Sequence, residues 1–398
     1  MSLAAIIKLY FSAMAPPSSD LQHITSYIVF NNSPWSTLEG QLFDLWRFLT
    51  GSPQPDPGKW WSTSPADMSS NFRLLSLLFR MPCFLADLGI SLALYLVTLK
   101  LSRSKELSRL SSLVWFLNPY NFLAAELLGV PDVAVALLTV IATLLLLYRR
   151  VIPAALALAI AIALKLYPIL LVPPLLLYVF RLAKSRWPNT IFLVLSCVVG
   201  VAGYLTWLSP YTPAVLSSDY TPVSQPLNLF IVSFAPGEGG SISLALVALV
   251  LAYLAIWKFM RRSELISMVS FTLLAYYLFS NPYPQYFIWV VPFLTLDIVL
   301  TRRSRGLLLT LLMVFLFAYW FIISYAFLTP SNYSLFLIPI KGSFQNIPPT
   351  SQAIVTFLNS LGTKILLLPL FMAGLYATVL IYCLDIILRD WLKVATRK

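Results

Sequence analysis

Side chains able to do chemistry are sparse in this chain, and several lie where charge is costly. Lys165 is the one charged residue in an apolar run bounded by Arg149 and Arg150 on one side and Arg181 on the other. Arg80 and Asp87 lie seven residues apart inside "RMPCFLADLGISLAL", a spacing that puts both on one face of a helix. Asp132 opens an apolar run after Pro131, Asp20 follows the first apolar segment in "PPSSDLQHIT", and Gln285 and Tyr286 lie in "PYPQYFIWVVPFL". A charge at the bilayer centre costs at least ~2.5–3.5 kcal/mol on insertion scales. A carboxylate can take a proton, and an ammonium or guanidinium can neutralise a phosphate-like anion. Each residue also has a structural reading. Arg80 and Asp87 can neutralise one another, Asp132 suits the positive end of a helix dipole, and Asp20 suits a helix cap.

The elements that must position these groups follow from composition. The 398 residues are 59% hydrophobic and 11% charged, with a mean hydropathy of +0.82. An ordinary soluble domain is roughly 25% charged. Apolar segments of about 20 residues recur along the chain, each long enough to cross a ~30 Å hydrocarbon core. The fold class is therefore all-α, a polytopic membrane protein with about 11–13 transmembrane segments. The segment that starts at residue 3 has no charged leader and no small-residue cleavage site, and reads as a retained anchor.

Basic residues punctuate these segments. Clusters fall at Lys100 to Arg109, at Arg149 and Arg150, at Arg181 to Arg186, at Lys258 to Arg262, at Arg302 to Arg305 and at Arg389 to Lys398. By the positive-inside rule all of them are cytoplasmic. The opposite side then receives 16–72, the turn near Gly129, the loop 209–241, the turn 281–284 and 329–362, including the N-x-S sequons at Asn31 and Asn332. Between Arg150 and Arg181 the chain must leave and return to one side within about 30 residues, too few for two full spans. A broken hairpin is expected, with an ascending half near 152–163, a descending half near 167–180, and Lys165 at the apex. Pro168, Pro173 and Pro174 suit the turn and its kinks. Irregular backbone at membrane depth is tolerated only against protein or a cavity, so the apex should face a site.

The chain reads as one domain, 1–398, in which the first external loop, 16–72, carries an interfacial helix. In "STLEGQLFDLWRFLT" Leu38, Leu42, Leu45 and Leu49 form one stripe, with Trp60 and Trp61 as further anchors. The net charge of +12 is spread between apolar segments and implies no nucleic-acid partner. Cys83, Cys197 and Cys383 lie far apart in apolar segments without metal spacing, and a single histidine excludes a multi-histidine metal site. "FAPGEGG" lacks the lysine of a phosphate loop and reads as a turn.

Taken in order, Asp20 after the first helix, "LNPY" with the later "PD", "LKLYP" and "PYPQYFIWVVPFL" resemble the GT-C superfamily of integral membrane glycosyltransferases. Within it the chain looks most similar to the catalytic subunit family of the first glycosylphosphatidylinositol mannosyltransferase. The resemblance implies a polyprenyl-phosphate sugar donor, a lipid or glycan acceptor, and inverting transfer of a hexose, mannose by resemblance, on the external face of a cell membrane, the endoplasmic reticulum membrane in a eukaryote. Asp20 would be the general base. Lys165 and Tyr167 would hold the leaving phosphate, with Arg80, Asp87, Asp132, Gln285 and Tyr286 contacting substrate. No cofactor follows from the residues. A divalent metal, Mg or Mn, goes with the DxD or ExD pair of many members, whereas here Leu21 and Gln22 follow Asp20, which leaves metal use open. Two alternatives stand beside this reading: a non-catalytic sibling, similar to the transamidase subunit of the same architecture, and a secondary transporter, whose usual repeated halves are not visible.

Overall fold

Two tight corners set the course of the first helices. In the computed structural model, which describes residues 5–6, 34–51, 70–122, 124–125, 129, 131–182, 186–208, 231–233, 241–259, 265–278, 284–300, 314, 373–385 and 388, both corners are made by arginines in the left-handed region, Arg103 at φ 57° and Arg149 at φ 59°. Asp20, both sequons, Trp60, Trp61, Glu126 and the "FAPGEGG" turn lie outside the described residues or side chains.

Helix α1 (Pro34–Thr50) forms where the loop sequence leads one to expect an amphipathic helix. It packs through Trp46, with Phe43 beside it, onto Leu75 and Phe79 of α2 (Ser70–Ser102), while Leu45, Phe48 and Leu49 stay exposed. The leucine stripe is thus not the packed face. The aromatic pair docks on protein and leaves part of the stripe free for lipid, the geometry of an in-plane helix.

After the Arg103 corner, α3 (Lys105–Phe116) starts with Ser104 as its N-cap and folds back along α2. The seam is hydroxyl-rich. Ser91 and Ser112 share a hydrogen bond at 2.6 Å, and Thr98 donates to Ser111 at 2.9 Å. Small polar side chains permit close approach and internal hydrogen bonding where no water is available. The short helix α4 (Pro119–Phe122) follows, with its first turn capped by Asn118, whose side chain accepts from the Tyr120 amide at 2.9 Å.

Helices α5 (Asp132–Leu147) and α6 (Val151–Leu164) form an antiparallel pair about the Arg149 corner. The chain then breaks: Lys165 is extended, a 3₁₀ turn covers Tyr167–Leu171, and α7 (Val172–Leu182) leads back. Helix α8 (Arg186–Leu208) runs parallel to α6, because a Cβ at Gly200 would meet Ala159 and one at Gly203 would meet Ala163. Two parallel helices joined through α7 require that α7 return to the side where α6 began. The broken hairpin read from the spacing of basic clusters is therefore the observed topology, with halves of 14 and 11 residues.

A two-stranded ladder, β1 (Ile231–Ser233) with β2 (Ser241–Ser243), leads into α9 (Leu244–Phe259). Then come α10 (Leu265–Leu278), a 3₁₀ turn at Pro284–Trp289, α11 (Val291–Leu300) and α12 (Ala373–Asp385). The Tyr382 hydroxyl donates to Asp297 at 2.7 Å and ties α12 to α11. Among the described residues α2 and α8 are long and apolar enough to cross a membrane, while the other apolar helices are shorter. Apart from that short ladder the described residues are helical, as in a polytopic membrane protein, and the short helices α5 and α6 end at charged residues inside the bundle.

Candidate functional site

Helix lengths put three of the charges in one layer. At 1.5 Å per residue, Asp87, Asp132 and Lys165 each lie ~20 Å from the helix ends flanked by basic residues, more than half-way across a ~30 Å core. Arg80 is about 10 Å further out on α2. It is fully buried, as are Cys83 and Asp87 on the same helix.

The layer is organised around two carboxylates. Asp87 accepts from the Trp115 indole at 2.7 Å and from the Asn121 side-chain amide, so it fastens the end of α3 and the short α4 to α2. Asp132 is the first residue of α5, where the dipole reading puts it, but its carboxylate makes no cap. One oxygen meets the Lys165 ammonium at 2.6 Å and the other accepts from the Trp289 indole at 2.6 Å. Lys165 is the C-cap of α6, so each charge sits at the helix end whose dipole it complements. The ion pair closes the open end of the α5–α6 hairpin.

Aromatic rings wall the pair. Lys165 Nζ lies 4.7 Å from the centre of the Tyr286 ring, a cation–π contact. Tyr167 stacks on Trp289 with centroids 3.7 Å apart, and Tyr286 stacks on the same indole at 4.9 Å. Behind them the Tyr277 hydroxyl donates to the Tyr286 carbonyl at 2.6 Å. Tyr120 links the two carboxylate clusters: it is adjacent to Asn121 and lies against the backbone at Ile288, within electrostatic range of Asp132. Asp132 is 2% exposed and Lys165 36%, so the carboxylate is sealed while the lysine side chain stays partly exposed.

The structure therefore brings Asp132, Lys165, Tyr167 and Tyr286 together and puts Asp87 in a neighbouring cluster at the same depth. Gln285 falls in the same 3₁₀ turn, but its side chain is not among those described, and Asp20 lies outside the described residues. Lys165 answers Asp132, one of the two outcomes open to a lone ammonium in an apolar run. Sequence reasoning did not single out Trp289, Trp115, Asn121 or Tyr120. The signal was present for Trp289, in the run of aromatics from Tyr276 to Trp289. The partners of Asp87 come from a different helix 28 and 34 residues away, with no spacing rule to reveal them.

Fold and site together define a polytopic membrane protein with a recessed carboxylate, ammonium and aromatic cluster. Residues 42–221 match the model of a family described as GPI transamidase subunit PIG-U. That region contains α2 to α8, and so carries Asp87, Asp132, Lys165 and Tyr167, while Tyr286 and Trp289 lie beyond it. No curated protein and no solved structure matches the chain.

Proposed function

We propose that this chain is a non-catalytic, membrane-embedded subunit of a GPI transamidase-like complex in the endoplasmic reticulum membrane, where it helps to seat the lipid substrate. The observation that carries the reading is the internal neutralisation of the Lys165–Asp132 pair. The ammonium that would receive a leaving phosphate is held at 2.6 Å by a buried carboxylate. That carboxylate in turn fixes Trp289 and hence the turn that carries Tyr286. Such a cluster holds four segments in register and leaves one cation partly exposed. The match of 42–221 to a transamidase subunit supports the same reading independently. The lipid-seating role rests on the exposed face of Lys165 beside aromatic rings, which suits the phosphate and sugar of a glycolipid headgroup.

The experiment is purification of the tagged full chain from gently solubilised membranes. The expected result is a multi-subunit complex able to exchange a peptide bond for an amide to a GPI-like amine. The isolated chain should transfer no hexose from labelled polyprenyl-phosphate hexoses. Hexose transfer by the isolated chain would overturn the proposal.

The second reading keeps the glycosyltransferase assignment, with mannose as the hexose, a polyprenyl-phosphate donor and Asp20 as base. What favours it is the 36% exposure of Lys165, which leaves the ammonium able to meet a second anion. Under that reading Asp20→Asn abolishes transfer, whereas a subunit role leaves complex assembly intact in the same variant.

A further inference from the structure

Beyond the charged layer, helices α7, α8 and α9 form a recess. Pro173, Pro174, Leu177 and Phe180 of α7 face Thr190 of α8 and Tyr253 and Trp257 of α9 around a cavity of about 340 Å³. That volume falls at the small end of ligand pockets. The walls are apolar, and exposed Pro173 and Trp257 lie on the open side. Two contacts fix its orientation. The Tyr253 hydroxyl donates to the Leu170 carbonyl at 2.9 Å, and the Arg181 guanidinium donates to the Trp257 carbonyl at 2.7 Å. Helices α7 and α9 therefore run parallel, and the recess extends from the Pro173–Pro174 turn toward the ends of both helices that carry Arg181 and Lys258.

The two ends differ in chemistry. The inner end is prolines and leucines. The cytoplasmic end carries Arg181 at the end of α7 and exposed Lys258 next to Trp257, with exposed Trp187 opening α8 nearby. Trp187 packs edge-on against Phe180, one wall of the recess. Tryptophans at headgroup depth with basic residues just outside them mark an interface. A basic rim over an apolar slot between helices on the cytoplasmic side suits an anionic lipid headgroup with its chain in the slot.

We propose that this recess is a binding site for one anionic phospholipid of the cytoplasmic leaflet, its acyl chain between α7, α8 and α9 and its phosphate beside Arg181 and Lys258. The Pro173–Pro174 step that lines the slot lies in the first turn of α7, where the hairpin starts its return. The site is separate from the Lys165 cluster and does not depend on what that cluster binds.

The test uses the full chain in its native complex in phosphatidylcholine nanodiscs, doped with either phosphatidylserine or phosphatidylcholine carrying a photoreactive group on the acyl chain. Labelled peptides are then mapped. Labelling of 173–190 and 253–257 should favour phosphatidylserine by at least about five-fold, since each basic residue near an anionic headgroup is worth ~1 kcal/mol. Arg181→Gln with Lys258→Gln should remove that preference while phosphatidylcholine labelling stays unchanged. Thr190→Trp should fill the slot and lower labelling by both lipids. If Arg181→Gln harms folding through the lost Trp257 contact, Lys258→Gln alone should still reduce the preference. Equal labelling by the two lipids, which marks ordinary annular lipid, would overturn the site. So would an unlabelled slot in the intact complex, which marks a protein occupant, or a preference untouched by the charge variants.

Discussion

Lys165→Met keeps the apolar stem, deletes the ammonium and leaves Asp132 buried without its cation. Breaking a buried ion pair by removing one partner costs about 3–5 kcal/mol when both groups are sealed. Here Asp132 is 2% exposed but Lys165 is 36% exposed, so solvent screening reduces the figure. The stranded carboxylate also keeps its 2.6 Å hydrogen bond from Trp289 and the favourable dipole at the start of α5. The expected loss is therefore about 2–3 kcal/mol, which lowers the melting midpoint by several degrees in a chain of this size. Adding Asp132→Asn removes the stranded charge while its carbonyl still accepts from Trp289, so the double variant should recover at least half of the loss. The assay is the apparent melting midpoint of purified protein in one detergent at one scan rate, because membrane-protein unfolding is often irreversible. A Lys165→Met protein that melts with the wild type, or a double variant as unstable as the two single effects summed, would refute the reasoning.

Three further outcomes follow from the packing. Gly200→Ala puts a Cβ 2.5 Å from the Ala159 carbonyl oxygen, a backbone atom that cannot move aside freely, so α6 and α8 should separate at a cost of roughly 1–3 kcal/mol, read as a lower melting midpoint and lower yield; an unchanged midpoint contradicts the parallel α6–α8 contact. Asp87→Ala removes the carboxylate that the Trp115 indole and the Asn121 amide share and leaves them only the longer bonds to the Asp87 carbonyl at 3.3 Å and the Trp115 carbonyl at 3.4 Å, at a cost of about 1–3 kcal/mol, whereas Asp87→Asn keeps a side-chain acceptor and should be milder; equal effects from the two variants argue against the observed bonds. A cysteine at Leu166, beside the partly exposed Lys165, should react with a membrane-impermeant maleimide added from outside; labelling only from the cytoplasmic side reverses the hairpin.

The broken hairpin was legible because it follows from counting. Basic residues fix the side at Arg150 and Arg181, and too few residues lie between them for two full crossings. The helix at α1 was legible from its period, but its packed face was not. Leu38, Leu42, Leu45 and Leu49 share a stripe with no sign of which apolar residues meet protein, and Trp46 wins through its larger contact with Leu75 and Phe79. Lys165 and Asp132 were each visible as a costly charge. Their union was one of several pairings that charge cost alone permits, because 33 residues separate them and the tight Arg149 corner decides which helix ends coincide. Asp87 was assigned beside Arg80 on one helical face, while the bonds that hold it come from α3 and α4. Those contacts depend on how the hydroxyl seam aligns two helices, which a one-dimensional pattern does not encode.

Service in a transamidase-like complex, without sugar transfer by the chain itself, is tested by the glycolipid pool of cells depleted of the chain. Depletion should leave fully mannosylated GPI lipid accumulating beside unprocessed precursor proteins, and re-expression should clear both. Accumulation of the unmannosylated glycolipid precursor, with hexose transfer restored by the wild-type chain and not by Asp20→Asn, would contradict it.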